Sequence, residues 1–111
     1  MLNNSKRENE KDLTTNVNNS TISNIPPYKC KLCGLGDIEF PHDICNFCGW
    51  EDDSVQNDDP DYMGGANYMS LNQYRNFWAQ NKEEILKTLK DNPFVAIEMS
   101  QEYYKKHFQT K

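Results

Sequence analysis

The chain has 111 residues, of which 26% are charged, and its formal net charge is −5. This length is enough for one small domain, and the negative charge disfavours nucleic acid as a partner because phosphate backbones repel it. No apolar run approaches the length of a membrane span, and the first twenty residues lack the apolar stretch of a secretory signal. We therefore expect a cytoplasmic protein without a nucleic-acid or membrane partner.

The N-terminal segment, residues 1–25, is rich in Asn, Ser and Thr and shows no hydrophobic periodicity. Such a segment buries too little apolar surface to offset the conformational entropy that folding would remove. We predict that it is a disordered tail, and that residues 26–111 form a single domain.

Two Cys-x-x-Cys pairs, each followed by a glycine, begin the predicted domain. They contain all four cysteines of the chain: Cys30, Cys33, Cys45 and Cys48. This spacing lets two thiolates on one turn reach the same ion, and two such turns supply the four ligands of a tetrahedral structural zinc site. Disulfides are the less favoured interpretation because no secretory signal is present. Zinc is the predicted metal, and iron is the alternative because four thiolates suit either ion.

The segment between the two pairs indicates a β-hairpin. Residues 35–40 alternate apolar and polar side chains, which predicts a short strand, residues 41–43 form a turn, and Ile44 begins the return strand. This arrangement is that of a zinc ribbon over residues 28–50. His42 lies in the predicted turn, and we expect it to be exposed rather than to replace a cysteine ligand.

An acidic loop is predicted over residues 51–69. Its first part holds six carboxylates and no basic residue: Glu51, Asp52, Asp53, Asp58, Asp59 and Asp61. Three interpretations stay open, namely a solvated loop, an acidic surface for a basic partner, and a divalent-cation site. The pattern of an EF-hand loop is absent.

Two helices are predicted in residues 70–108. Ser70 is a suitable N-cap with Gln73 at the capping-box position. Apolar residues recur on one face of this first helix at helical spacing: Leu71, Tyr74, Trp78, Ile85 and Leu89. The helix is expected to stop at residues 91–93, and a second helix over 94–106 takes Asn92 as its N-cap; a strand over 94–97 is the alternative. The predicted fold class is small α+β, a zinc-ribbon-like hairpin followed by a pair of α-helices.

Several sequence pieces together resemble the bacterial cysteine-rich CPCC family over about residues 28–78. The pieces are YKCKLCG at 28–34, ICNFCGWEDD at 44–53, Gln56, DPDY at 59–62, GGAN at 64–67 and SLNQYR at 70–75. The first cysteine pair departs from the family's Cys-Pro-Cys-Cys, because Lys31 and Leu32 replace the proline and the extra cysteine. The resemblance implies a small metal-binding domain without an established activity, often encoded near toxin and antitoxin-like genes. It gives the acidic motif three candidate roles: capping a helix, pairing with Arg75, or presenting charge to a partner.

The leading functional prediction is a zinc-stabilised protein-interaction module. One concrete form is an immunity-type protein whose acidic surface neutralises a basic toxin. A rubredoxin-like iron electron-transfer protein is one alternative, and a metal-dependent hydrolase that uses the acidic loop is another. A four-thiolate site has no open coordination position, so we do not expect the metal centre to be catalytic.

Overall fold

The computed structural model describes residues 25–109, so the predicted tail lies outside the described residues except for Ile25. It contains two short strands and three helices: β1 (Tyr28–Lys29), β2 (Asp37–Ile38), α1 (Ser54–Asp58), α2 (Leu71–Thr88) and α3 (Val95–Phe108). The predicted small α+β fold is confirmed. Within residues 25–109, no helix combines the length and the apolar character needed to cross a membrane.

The strand pairing differs from the prediction. β1 and β2 pair antiparallel, with Tyr28 opposite Ile38, so the strand between the cysteine pairs runs beside the residues that precede the first pair. The predicted return strand at Ile44 is wrong, because Ile44 forms only an isolated antiparallel bridge with Glu51. Each cysteine pair therefore closes its own small hairpin. We name the two turns knuckle one (residues 30–34) and knuckle two (residues 45–49).

A turn over residues 40–43 connects the two hairpins, close to where the sequence predicts one. The Asp43 carboxylate accepts hydrogen bonds from the backbone N–H groups of Glu39 and Phe40, both at 3.0 Å. His42 has a positive φ of 70° and is exposed, with its ring 3.2 Å from the Glu51 carboxylate. The expectation that His42 is an exposed turn residue is confirmed.

Helix α2 follows the sequence prediction at its start. The Ser70 side chain accepts from the Gln73 N–H, and the Gln73 side chain accepts from the Ser70 N–H, which completes the predicted capping box. The helix ends at Thr88, three residues before the predicted stop, and the N–H groups of Asp91 and Asn92 both donate to the Thr88 carbonyl.

Helix α3 begins at Val95, so the alternative of a strand over 94–97 is wrong. Asn92 caps the turn before the helix rather than the helix itself, since its side-chain oxygen accepts from the Phe94 N–H at 3.0 Å. The proline at position 93 fits this turn because it has no N–H to leave unpaired.

An aromatic core joins the hairpins to the helices. Trp50 and Phe77 are fully buried, and the Tyr74 ring lies between them with edge-to-face centroid distances of 5.4 Å to each. Such arrangements add roughly 0.5–1.5 kcal/mol per pair beyond area burial. The aromatic stripe of α2 is thus core, and it fixes the second hairpin on the helix.

Candidate metal centre

The four cysteine sulfurs converge at one point between the two knuckles. All four lie within 4.8 Å of one another, and the Cys30–Cys48 and Cys33–Cys45 sulfur pairs are each 3.6 Å apart. A tetrahedron of sulfurs around zinc, with bonds of about 2.3 Å, has edges of about 3.8 Å, whereas a disulfide bond is about 2.05 Å long. The cysteines are free thiols. Their spacing fits a single tetrahedral metal ion, and this predicted assembly of Cys30, Cys33, Cys45 and Cys48 is present.

Backbone N–H groups point at all four sulfurs. The donors are Leu32 to Cys30, Leu35 to Cys33, Phe47 to Cys45 and Trp50 to Cys48, at 3.3–3.4 Å. The second donor at each knuckle, Leu35 or Trp50, follows a glycine with positive φ, +76° at Gly34 and +83° at Gly49. This backbone conformation costs little only for glycine, and it turns the next N–H toward the sulfur, which stabilises the thiolate form.

The thiols share protons unequally. A hydrogen bond from the Cys30 thiol lowers the pKa of Cys33 to about 7, and hydrogen bonds from its neighbours, Cys30 first, also lower the pKa of Cys45. The Cys30 thiol donates to Cys33 and Cys45, which raises the pKa of Cys30. Donation to the other three cysteines likewise raises the pKa of Cys48. Cys30, Cys45 and Cys48 are buried and Cys33 is half-buried. A metal ion that binds all four thiolates must therefore displace protons.

Helix α2 supports both knuckles from outside the ligand set. The buried Tyr74 hydroxyl donates to the Cys48 carbonyl at 2.7 Å, and burial raises the pKa of this tyrosine. The Arg75 guanidinium donates to the Lys31 carbonyl at 3.3 Å. Pairing with a carboxylate, one of the candidate roles of the acidic motif, is not among the contacts of Arg75 in the described residues, where its guanidinium meets the Lys31 carbonyl and the Asn72 side chain.

Asp53 belongs to the interior rather than to an acidic surface. It is the N-cap of α1, an element that the sequence prediction missed, and its carboxylate accepts from the N–H groups of Val55, Gln56 and Ala66 at 2.9–3.2 Å. Burial acts to raise the pKa of Asp53, but these three backbone donors lower it below its ordinary value. Helix capping, one of the three roles considered for the acidic motif, is confirmed for this residue.

Asp52 is likewise buried, with 3% of its surface exposed. Its two carboxylate oxygens accept from the Tyr28 hydroxyl and the Asn57 amide, both at 2.9 Å, and the Asn57 oxygen accepts from the Trp50 indole at 3.0 Å. Burial, together with the Asp52 carboxylate, raises the pKa of Tyr28 to about 12. Asp52 therefore joins the start of the first hairpin to α1.

Gln56 is a central residue that the sequence interpretation did not single out as a site. It is fully buried. Its amide nitrogen contacts the carbonyls of Tyr62, Asn67 and Met69 at 3.1–3.2 Å, and its oxygen accepts from the backbone and side chain of Asn67. The signal in the sequence that could have identified Gln56 was its place, with residues 64–67, in the pattern that resembles the family. Gln56 holds the segment 62–69 against α1.

The remaining carboxylates are at the surface. Glu51 pairs with His42, whereas Asp58, Asp59 and Asp61 are exposed, and Asp61 accepts from the Asn72 amide at 3.0 Å. Among residues 25–109, the four cysteines are the one group of three or more side chains close enough together to hold a metal ion. The carboxylates do not form a second such group there. The structure thus divides the six acidic residues into two interior residues, the half-buried Glu51 and three exposed residues.

Comparison with known proteins agrees with this geometry. A search of curated proteins gave no match. The model of one family, described as cysteine-rich CPCC, matches residues 28–93, which is more than half of the chain. The match covers both knuckles, α1 and α2, and it stops before α3. The chain belongs to the cysteine-rich CPCC family.

Proposed function

We propose that the four cysteines bind one structural zinc ion and that the domain so formed binds a protein partner in the cytoplasm. The observation that carries this proposal is the convergence of four free sulfurs at tetrahedral spacing. Zinc suits such a site because it accepts four thiolates without a redox change. Free thiols fit the reducing environment of the cytoplasm.

A structural role follows from the ligand count. Four protein ligands fill a tetrahedral shell, so neither water nor a substrate has a coordination position at the metal. The buried carboxylates Asp52 and Asp53 are committed to Tyr28, Asn57 and backbone N–H groups. We therefore propose a binding protein rather than an enzyme, and we do not propose a hydrolase.

The metal is tested by elemental analysis, with a visible spectrum of the same sample, on protein purified without a chelator or a metal-affinity tag. About one zinc per chain and no visible colour support the proposal. A Cys45→Ser variant is expected to lose the metal, whereas a Ser54→Ala variant, changed at an exposed position, is expected to keep it. Wild-type protein that contains no metal would overturn the proposal.

Iron is the second candidate, because four thiolates suit either ion and these sulfurs accept hydrogen bonds of the kind that tune an iron centre. All four sulfurs receive backbone N–H donors, and the Cys33 sulfur is half-buried rather than enclosed. Hydrogen bonds to sulfur and solvent exposure both set the reduction potential of iron–sulfur centres. An absorbing iron centre that bleaches reversibly on chemical reduction would favour electron transfer over the zinc module.

The surface that we propose for the partner is an acidic face, defined as Val55, Asp58, Asp59, Asp61, Tyr62 and Met63. Its three carboxylates are exposed, and its apolar members are 42–56% exposed. Apolar contact area beside negative charge suits a basic protein, because the charge speeds encounter and the apolar groups slow dissociation. An immunity-type protein that neutralises a basic toxin is the specific form that we propose.

The partner proposal is tested by co-expression with the product of the neighbouring gene and isolation of the complex. A variant with Asp58→Asn, Asp59→Asn and Asp61→Asn is expected to associate at least about tenfold more slowly at low salt. The matched control removes three charges elsewhere, through Glu83→Gln, Glu84→Gln and Asp91→Asn. Failure to form a complex, or equal slowing in both triple variants, would reject the acidic face.

A further inference from the structure

Helix α3 rests directly on knuckle two. A Cβ atom added to Gly49 would lie 3.0 Å from the Ile97 Cγ1 atom and 3.2 Å from the Ile97 backbone nitrogen. It would also lie 2.9 Å from the Tyr74 hydroxyl oxygen. The backbone of the first turn of α3 therefore approaches the metal-binding turn closely enough to need a residue without a side chain there.

The equivalent glycine of knuckle one has no such cover. Gly34 has nearly the same backbone conformation as Gly49, with φ of +76° against +83°, yet a Cβ atom at Gly34 would meet nothing within 4 Å. The two knuckles are alike in sequence and in backbone but differ in what packs on them. The helix that makes this difference, α3, lies outside the residues 28–93 that match the family.

The covered knuckle is connected to the ligands through short contacts. The Gly49 N–H donates to the Cys45 carbonyl at 3.0 Å, and the Tyr74 hydroxyl donates to the Cys48 carbonyl at 2.7 Å. Cys48 itself is fully buried. Displacing Cys45 and Cys48 from a metal ion thus requires movement of a turn that Ile97 and Tyr74 hold in place.

We propose that α3 retains the metal, with Ile97 and Tyr74 as positioning residues that keep knuckle two in its ligating conformation. This inference rests on the proposed metal site and identifies what controls release from it. Metal leaves a folded domain through local opening, and here the opening of knuckle two requires α3 to lift from Gly49. Contacts that orient metal ligands typically change metal affinity 10- to 100-fold.

The two glycines provide a matched test. Zinc-loaded full-length protein is mixed with an excess of a chromogenic chelator, and the rate of zinc release is measured for Gly49→Ala and Gly34→Ala. Both variants carry the cost of a side chain at positive φ, but only the Gly49→Ala side chain meets the two proposed positioning residues, Tyr74 on α2 and Ile97 on α3. We expect zinc release from Gly49→Ala to be about 10- to 100-fold faster than from Gly34→Ala. Equal rates would overturn the proposal.

A second pair separates metal retention from general loss of stability. Ile97→Ala removes the contact but leaves the glycine, and Ile85→Val perturbs a fully buried position about three turns beyond Tyr74 on α2. When the two variants are compared at urea concentrations equally far from their own unfolding midpoints, we expect about tenfold faster zinc release only from Ile97→Ala. The visible spectrum of the cobalt-loaded variants should show unchanged four-thiolate coordination before release.

The outcomes distinguish this inference from the function on which it rests. If wild-type protein binds neither zinc nor cobalt, the metal site and the retention role fail together. If wild-type protein binds zinc and all four variants release it at one rate, the metal site stands and the retention role of α3 is overturned.

Discussion

Asp53 shows how a charged residue in an acidic stretch becomes a structural one. Its carboxylate joins three backbone N–H groups from two segments, α1 and residue 66, and so satisfies two N–H groups of the first turn of α1 together with that of residue 66. Hydrogen bonds to an ionised group are stronger than those between neutral groups. The same bonds favour the ionised form, which is the reason for the lowered pKa of Asp53.

We predict that Asp53→Ala lowers the free energy of unfolding by about 2–3 kcal/mol at pH 7, because it removes the cap of α1 and leaves three N–H groups, including that of the buried Gln56, without their acceptor. Asp53→Asn should lose less, since asparagine is also a good N-cap. Urea unfolding of the zinc-loaded protein measures both. A loss below about 0.5 kcal/mol for Asp53→Ala, as expected of an ordinary surface position, would contradict the role.

The pH dependence has a definite sign. Because the folded-state pKa of Asp53 is lowered, its carboxylate contributes stability above the unfolded pKa of about 4, and this contribution is lost as pH falls through the folded pKa. The side-chain carboxyl carbon of Asp53, followed by NMR, should therefore titrate below the ordinary aspartate value. A midpoint at or above about 4 would show that the backbone donors do not outweigh burial.

At the scale of elements, α1 is too short to be stable by itself. It has five residues, and isolated helices below about 12 residues are marginal in water. Its persistence depends on the Asp53 cap at one end and on Gln56, which connects it to the segment 62–69. The helix and that segment are therefore expected to form and open together.

We predict that Gln56→Leu destabilises the domain by at least about 3 kcal/mol, because three backbone carbonyls and the Asn67 amide lose a partner in the interior. Hydrogen exchange of the amides of residues 62–69 should rise with it. Gln80→Leu, at an exposed position on α2, serves as the control and should stay within about 0.5 kcal/mol of wild type. Similar behaviour of the two variants would show that the buried amide network contributes little.

At the scale of the whole molecule, the two hairpins contain very few paired residues. Their cysteine sulfurs converge between them, and aromatic packing joins the second hairpin to α2. β1 and β2 have two residues each, and Trp50 and Tyr74 connect the second hairpin to α2. A small domain of this kind commonly depends on a metal to supplement its core. Structural zinc contributes on the order of 10 kcal/mol of apparent folding free energy in zinc-finger peptides.

We predict that a strong chelator lowers the unfolding temperature sharply and abolishes the fixed environment of Trp50, seen as loss of the near-ultraviolet circular dichroism signal. Restoring zinc should recover both. Cys45→Ser should resemble the chelated wild type and respond to neither treatment. A wild type whose unfolding temperature is unchanged by the chelator would show that the core suffices without metal.

The parts of the fold that the sequence predicts correctly are those set by local chemistry. Cysteines three apart with a following glycine, a Ser70–Gln73 capping box and an aromatic stripe each act within one or two turns of chain. The alternation over residues 35–40 indicated the strand that contains β2, but its pairing with β1 was missed because β1, with two residues, is too short to show an alternation of its own. α1 was missed because its stability depends on hydrogen bonds between Gln56, within the helix, and Asn67, eleven positions further along the chain.

The position of the ligands along the chain has a kinetic consequence. Cys30 and Cys48 are the outermost ligands and only eighteen positions apart, so gathering the four thiolates closes a short loop at a modest entropic cost. Capture of an ion by the newly made chain therefore does not require α2 or α3 to have folded. For the metal site proposed above, the uptake rate should be set by residues 30–48, whereas the residence time of the ion should depend on α3, which packs on knuckle two.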